Sequence, residues 1–142
     1  MAKRVRVLLD ANVVLDLLQR REPFFQDAAD LMAAAESGRC RGLVAAHTVT
    51  TLFYLMAKHA SPAAARVHIT ELLRVLEVAT VDRAVLQEAL ALPYADLEDG
   101  VQMAAAEQAG VDYVVTRDRT LYAAGPLPVL APAEMLALLS DA

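Results

Sequence analysis

Four aspartates in this chain stand where side chains contribute little to packing and much to chemistry. Asp10 comes directly after the aliphatic run Val5-Arg6-Val7-Leu8-Leu9, and Asp118 comes directly after Tyr113-Val114-Val115-Thr116. Asp96 and Asp99 lie three apart at the start of an expected helix, a spacing that puts both carboxylates on one face near its N-terminus. Each has an ordinary reading alone: Asp96 as a helix cap, Asp99 as a favourable first-turn charge, Asp118 as a turn residue. Asp10 is the hardest to explain by packing. Carboxylates brought to about 5 Å of one another repel by about 3 kcal/mol per pair at an effective dielectric near 20. A divalent cation removes that cost, and an all-oxygen donor set favours Mg²⁺ or Mn²⁺ over zinc. The chemistry such a cluster implies is metal-assisted hydrolysis of a phosphodiester, with a cation-activated water as nucleophile. Arg117 and Arg119 flank Asp118 and are the candidate phosphate contacts.

The elements that must position these acids follow from the apolar pattern. Val5–Leu9, Leu43-Val44-Ala45, Leu76–Ala79, Tyr113–Thr116 and Val129-Leu130 read as short strands. Helices are expected over Ala11–Leu18, from Phe25 towards Gly38, over His47–Lys58, after Ser61-Pro62, after Asp82, from Asp96 to Ala109, and after Pro132. A loop is expected over Arg117–Pro128. Strands alternating with helices require crossover connections, hence a mostly parallel sheet covered on both faces. The expectation is an α/β three-layer sandwich with about five strands. In such a sheet ligands sit at the carboxyl ends of the strands, where Asp10 and Asp118 both fall.

Composition narrows the alternatives. The chain has 142 residues, 57 % of them apolar and 5 % aromatic, with no tryptophan. Its mean hydropathy is +0.37. The charge-free stretch Leu43 to Ala57 carries His47, Thr48, Thr50 and Thr51 and is too short to cross a bilayer. No signal peptide and no membrane partner are expected, and the single cysteine, Cys40, points to a reducing cytoplasm. Thirteen Lys and Arg against 18 Asp and Glu leave a net charge of −5. That balance argues against phosphate binding by a basic surface, unless the acids hold cations that meet the phosphate.

The ordered set Asp10-Ala11-Asn12-Val13-Val14-Leu15-Asp16, Arg21-Glu22-Pro23-Phe24, Asp96-Leu97-Glu98-Asp99 and Tyr113-Val114-Val115-Thr116-Arg117-Asp118 resembles the PIN domain family. The likeness covers nearly the whole chain and is greatest to small bacterial members that include the VapC-type toxins. It implies a single PIN-like domain over residues 1–142 and Mg²⁺- or Mn²⁺-dependent cleavage of RNA. It also implies Asp10, Asp99 and Asp118 as catalytic and metal-holding acids, with Asp96 as a possible fourth ligand and Asn12 and Thr116 as hydrogen-bonding supports. An antitoxin protein would then be a partner, and the apolar composition adds the expectation of a homodimer.

One departure matters. The family's usual acid on the helix after the second strand aligns with Thr51, which carries no charge. The alternative to an active ribonuclease is therefore a PIN-fold binding module that has lost catalysis. Asp16 is expected to be either a substitute acid or an exposed or salt-bridged helix residue. Glu98 is expected to point about 100° away from Asp99. A metal-free nuclease would need a pair among His47, His59 and His68 as acid and base. Gly100 inside a helix costs about 1 kcal/mol against alanine and suggests close approach by a neighbouring element.

Overall fold

The computed structural model describes residues 4–119 and 125–140. Part of the loop expected over Arg117–Pro128 lies outside the described residues. The element order is β1 (Arg6–Leu9), α1 (Ala11–Leu18), α2 (Phe25–Glu36), β2 (Arg41–Ala45), α3 (Ala46–His59), α4 (Pro62–Val75), β3 (Glu77–Ala79), α5 (Arg83–Ala91), α6 (Leu97–Gln108), β4 (Tyr113–Val115), β5 (Val129–Leu130) and α7 (Pro132–Ser140). All four strand pairings are parallel and the sheet order is β3-β2-β1-β4-β5. This is the expected α/β architecture with a five-stranded sheet.

Strand β1 is central because it is apolar on both faces. Val7, Leu8 and Leu9 are all essentially buried. The side chains alternate: Val7 and Leu9 pack into one core with α1, α2, α3, α4 and α7, while Leu8 joins the other with α5 and α6. The order runs outward from β1 in both directions, to β2 and β3 on one side and to β4 and β5 on the other. The crevice at the carboxyl ends therefore opens beside β1, at the switch in direction.

Helix starts are set by short polar side chains. Ser61 Oγ accepts the Ala64 N–H at 3.1 Å, Asp82 Oδ1 accepts the Val85 N–H at 3.0 Å, and Asp96 Oδ1 accepts the Glu98 N–H at 2.9 Å. These bonds satisfy donors that the first helical turn leaves unpaired. Gly110 ends α6 region with φ of +71°, a conformation glycine adopts without strain. Gly100 has a direct cause: a Cβ there would lie 3.0 Å from the Ala89 carbonyl oxygen of α5. Its absence lets α5 and α6 pack backbone against backbone.

Candidate active site

The parallel register builds half of the site. Leu9 of β1 is paired with Val115 of β4, so the next residues, Asp10 and Thr116, emerge side by side from adjacent strands. Asp10 adopts an extended backbone and caps α1, its Oδ1 accepting the Ala11 N–H at 2.7 Å. The Thr116 hydroxyl is fully buried and donates to Asp10 Oδ2 at 2.8 Å. The Thr116 hydroxyl oxygen in turn accepts Asn12 Nδ2 at 3.1 Å and the Asp118 N–H at 3.1 Å. One donor and two lone pairs are thus all used. Asn12 Nδ2 also reaches Asp10 Oδ2 at 3.4 Å, and its Oδ1 accepts the Arg117 N–H at 3.4 Å. The geometry fixes the Asp10 carboxylate and the start of the loop carrying Asp118 through one hydroxyl.

Two helix starts build the other half. A pocket of about 50 Å³ is lined by Asp10, Ala11, His47, Thr48, Thr51, Glu98, Asp99 and Gln102. His47, Thr48 and Thr51 come from the first turns of α3, and Glu98, Asp99 and Gln102 from the first turns of α6. Gln102 is buried one turn beyond Asp99, on the same helix face. Among the described residues, His47 Nδ1 is buried without a hydrogen-bond partner, and no lysine or arginine lines the pocket. Nearby, burial pushes the Tyr94 phenol up, and the charge of Asp99 pushes in the same direction.

The acids predicted from the sequence are distributed unevenly about this pocket. Asp10 and Asp99 share it. Asp96 is exposed, holds the Glu98 N–H as the α6 cap, and does not line it. Asp118 is exposed and does not line it either, although its N–H is one hydroxyl away from Asp10. No three His, Cys, Asp or Glu side chains among the described residues already stand in an ion-holding cluster. Thr51 stands in the pocket wall, its hydroxyl donating back to the His47 carbonyl at 3.4 Å.

Arg117 and Arg119 are both engaged with carboxylates. Arg117 grips Asp16 through Nε at 2.6 Å and Nη2 at 3.2 Å, and its guanidinium lies 4.0 Å from the Phe24 ring centre. Asp16 is 1 % exposed and has Arg21 Nη1 at 3.8 Å as a second cation. It is therefore a salt-bridged helix acid, buried and not exposed. Arg119 Nη1 contacts both oxygens of Glu134 at 2.9 Å on the surface.

Sequence reasoning missed Gln102 and Thr48 as pocket residues; the i, i+3 spacing from Asp99 to Gln102 was the available signal. Glu98, expected to turn away from Asp99, is exposed and is also among the residues that line the pocket. His59 and His68 line a separate cleft between α3 and α4, apart from His47.

Comparison with known proteins agrees with the fold. The structure is similar to FitAcB from Neisseria gonorrhoeae, with a TM-score of 0.69 and 22 % identity over 89 % of this chain and 98 % of that one. It is similar to a toxin–antitoxin complex from Klebsiella pneumoniae, with a TM-score of 0.68 and 19 % identity over 89 % and 97 %. The third is VapC20 from Mycobacterium tuberculosis, a sarcin-ricin loop cleaving toxin, with a TM-score of 0.61 and 16 % identity over 76 % and 86 %. No curated protein gave a match. The family model of the PIN domain matches residues 6–120, and with that match the chain belongs to the PIN domain family.

Proposed function

We propose that this protein is a divalent-cation-dependent endoribonuclease, the toxin of a toxin–antitoxin pair acting in the cytoplasm. The observation that carries the reading is the Asp10 carboxylate, held by Thr116 and Asn12 at the end of the central strand and facing Asp99 across a small pocket. The donor chemistry fits a hard cation: the pocket's lining residues Asp10, Asp99, Glu98, Thr48, Thr51 and Gln102 all carry side-chain oxygens, around space for a few waters. Asp10 and Asp99 would hold Mg²⁺ or Mn²⁺, with Asp118 and Asp96, which lie outside the pocket lining, as further contributors. Such an ion, when bound, lowers the pKa of a water and neutralises charge on a phosphodiester.

The chain's own groups orient that chemistry. Thr116 and Asn12 keep Asp10 aimed at the pocket. The N-terminal end of the α6 dipole lies beside Asp99 and favours negative charge there, including that of a phosphate. Arg117 holds the Asp118 loop against Asp16, and Arg119, on the same loop and half exposed, is the nearer candidate for a backbone phosphate of RNA. The Klebsiella neighbour is a toxin–antitoxin complex, which supports an antitoxin as partner here. The aliphatic composition supports a homodimer.

The test is cleavage of structured RNA with Mg²⁺ or Mn²⁺, with and without chelator. Asp10→Asn, Asp99→Asn and Asp118→Asn should each abolish cleavage while far-UV circular dichroism is unchanged, since asparagine keeps the Asp10 cap. Cleavage retained in all three refutes the site. Thr51 favours one second reading, a binding module without catalysis; it predicts no cleavage by the wild type under any cation.

A further inference from the structure

We infer that the cleft between the starts of α2 and α7 is a nucleobase subsite for single-stranded RNA, in which one base lies against Phe24 and the Arg117 guanidinium. This rests on the ribonuclease reading above and names a second place where the same substrate is held. The cleft has a volume of about 200 Å³ and is lined by Phe24, Asp27, Arg117, Ala131, Pro132 and Ala133. Drug-sized ligands need about 300–1,000 Å³, so this space suits a single planar ring system. The chain itself links the cleft to the acid pocket. Arg117 precedes Asp118, and its N–H is accepted at 3.4 Å by Asn12, whose Nδ2 reaches Asp10.

Three observations favour a base over other occupants. Phe24 is 39 % exposed, and the Arg117 guanidinium lies 4.0 Å from its ring centre. Aromatic rings and guanidinium planes are the surfaces on which unpaired RNA bases stack. Hydrogen-bonding capacity is also left unused. Arg117 gives Nε and Nη2 to Asp16, and its Nη1 makes no hydrogen bond. Among the described residues, the Asp27 carboxylate enters no hydrogen bond or ion pair. An apolar side chain from a protein partner would cover both groups and satisfy neither, whereas the edge of a base carries acceptors and donors. Charge is the third. Asp16 already matches the Arg117 cation, and Asp27 adds a negative charge, so a neutral ring is favoured over a phosphate or a carboxylate. Guanine suits the pair best, with the N1–H and N2–H donors for Asp27 beside the O6 acceptor for Arg117. A competing role for Phe24 is to shield the Arg117–Asp16 pair, which predicts a lower melting temperature and no change in RNA affinity.

The experiment is fluorescence anisotropy of the full chain with fluorescein-labelled abasic ribose-phosphate hexamers that carry one central guanosine, one central adenosine or no base. EDTA is present, so binding is read apart from metal-dependent cleavage. Wild type should bind the guanosine hexamer most tightly and the baseless one about tenfold more weakly, as expected for loss of one stacked base. Phe24→Ala, at an exposed position, should stay folded by circular dichroism and remove that difference. Phe24→Leu keeps apolar cover over Arg117 and should lose most of it too, which separates stacking from shielding. Asp27→Asn should abolish the preference for guanosine over adenosine, and Tyr54→Ala, which deletes another exposed ring, on α3, should change nothing. Guanosine and baseless hexamers bound by wild type within about twofold of each other, no binding of either, or a difference that survives Phe24→Ala each overturns the subsite, whether or not the protein cleaves RNA with Mn²⁺. A guanosine preference that survives Asp27→Asn overturns the role of Asp27. Base-dependent binding by a wild type that cleaves RNA under no cation supports the subsite and overturns the ribonuclease reading.

Discussion

Replacing Arg117 by methionine tests how the loop that carries Asp118 is held. Asp16 is 1 % exposed, and Arg117 covers it with two hydrogen bonds at 2.6 and 3.2 Å. Removing one partner of a buried pair costs about 3–5 kcal/mol, because the remaining charge has lost its compensation. Two features move the figure in opposite directions. Arg21, at 3.8 Å from Asp16 and 39 % exposed, supplies partial compensation and lowers it. The stack of Arg117 on Phe24 at 4.0 Å adds about 1 kcal/mol that the variant also loses. The expected net loss is about 3 kcal/mol, or about 10 °C in Tm for a chain of this size. Urea unfolding followed by circular dichroism measures it. Arg117→Lys keeps the charge without the two-pronged grip and should fall between the variant and wild type. In a double-mutant cycle, Asp16→Asn should recover part of the loss, with a coupling above about 1.5 kcal/mol. A loss under about 1 kcal/mol, or additivity of the two changes, refutes the buried-pair reasoning.

Other outcomes follow from the same structure. Thr116→Val strips the donor from Asp10 and the acceptor from Asn12 and the Asp118 N–H, and should cost about 2–3 kcal/mol in urea unfolding, whereas Thr116→Ser should cost under about 1 kcal/mol. Glu107 is pushed up, chiefly by the hydrogen bond it shares with Glu88, then by desolvation and the Glu88 charge. A raised value means that its contribution is present below the ordinary carboxylate range and is lost as pH rises through the raised value. Glu107→Gln should therefore raise Tm at pH 7 and lose that advantage near pH 4. Burial pushes the Cys40 thiol up, outweighing the opposing pull of Arg39 and Arg4. Its alkylation at pH 8 should be slow in the native protein and fast in urea; rapid native labelling would contradict the burial. Gly100→Val drives side-chain atoms into the Ala89 carbonyl and should cost about 1–3 kcal/mol by urea unfolding.

What the sequence made legible was local. Aliphatic runs marked the strands, and Ser61, Asp82 and Asp96 marked helix starts because a capping side chain acts within three residues of itself. Helix α1 has the expected bounds, Ala11–Leu18. The sheet order was beyond reach, since it depends on which strands the crossovers bring together. The same limit hid the fate of Arg117, whose partner Asp16 lies 101 residues away in the chain. Its place beside Asp118 suggested a phosphate contact; nothing adjacent announced a buried acid elsewhere.

The two halves of the site differ in what holds them. Asp10 and Thr116 are adjacent because Leu9 and Val115 are paired in a parallel ladder, and no side-chain change short of breaking that ladder separates them. Asp99 and Glu98 are placed by α6, whose position rests on its contact with α5 at Gly100 and on the apolar core beneath Met103. The wall carrying His47 and Thr51 rests in turn on α3. The pocket is thus assembled from one rigid strand edge, which carries Asp10, and the starts of two helices.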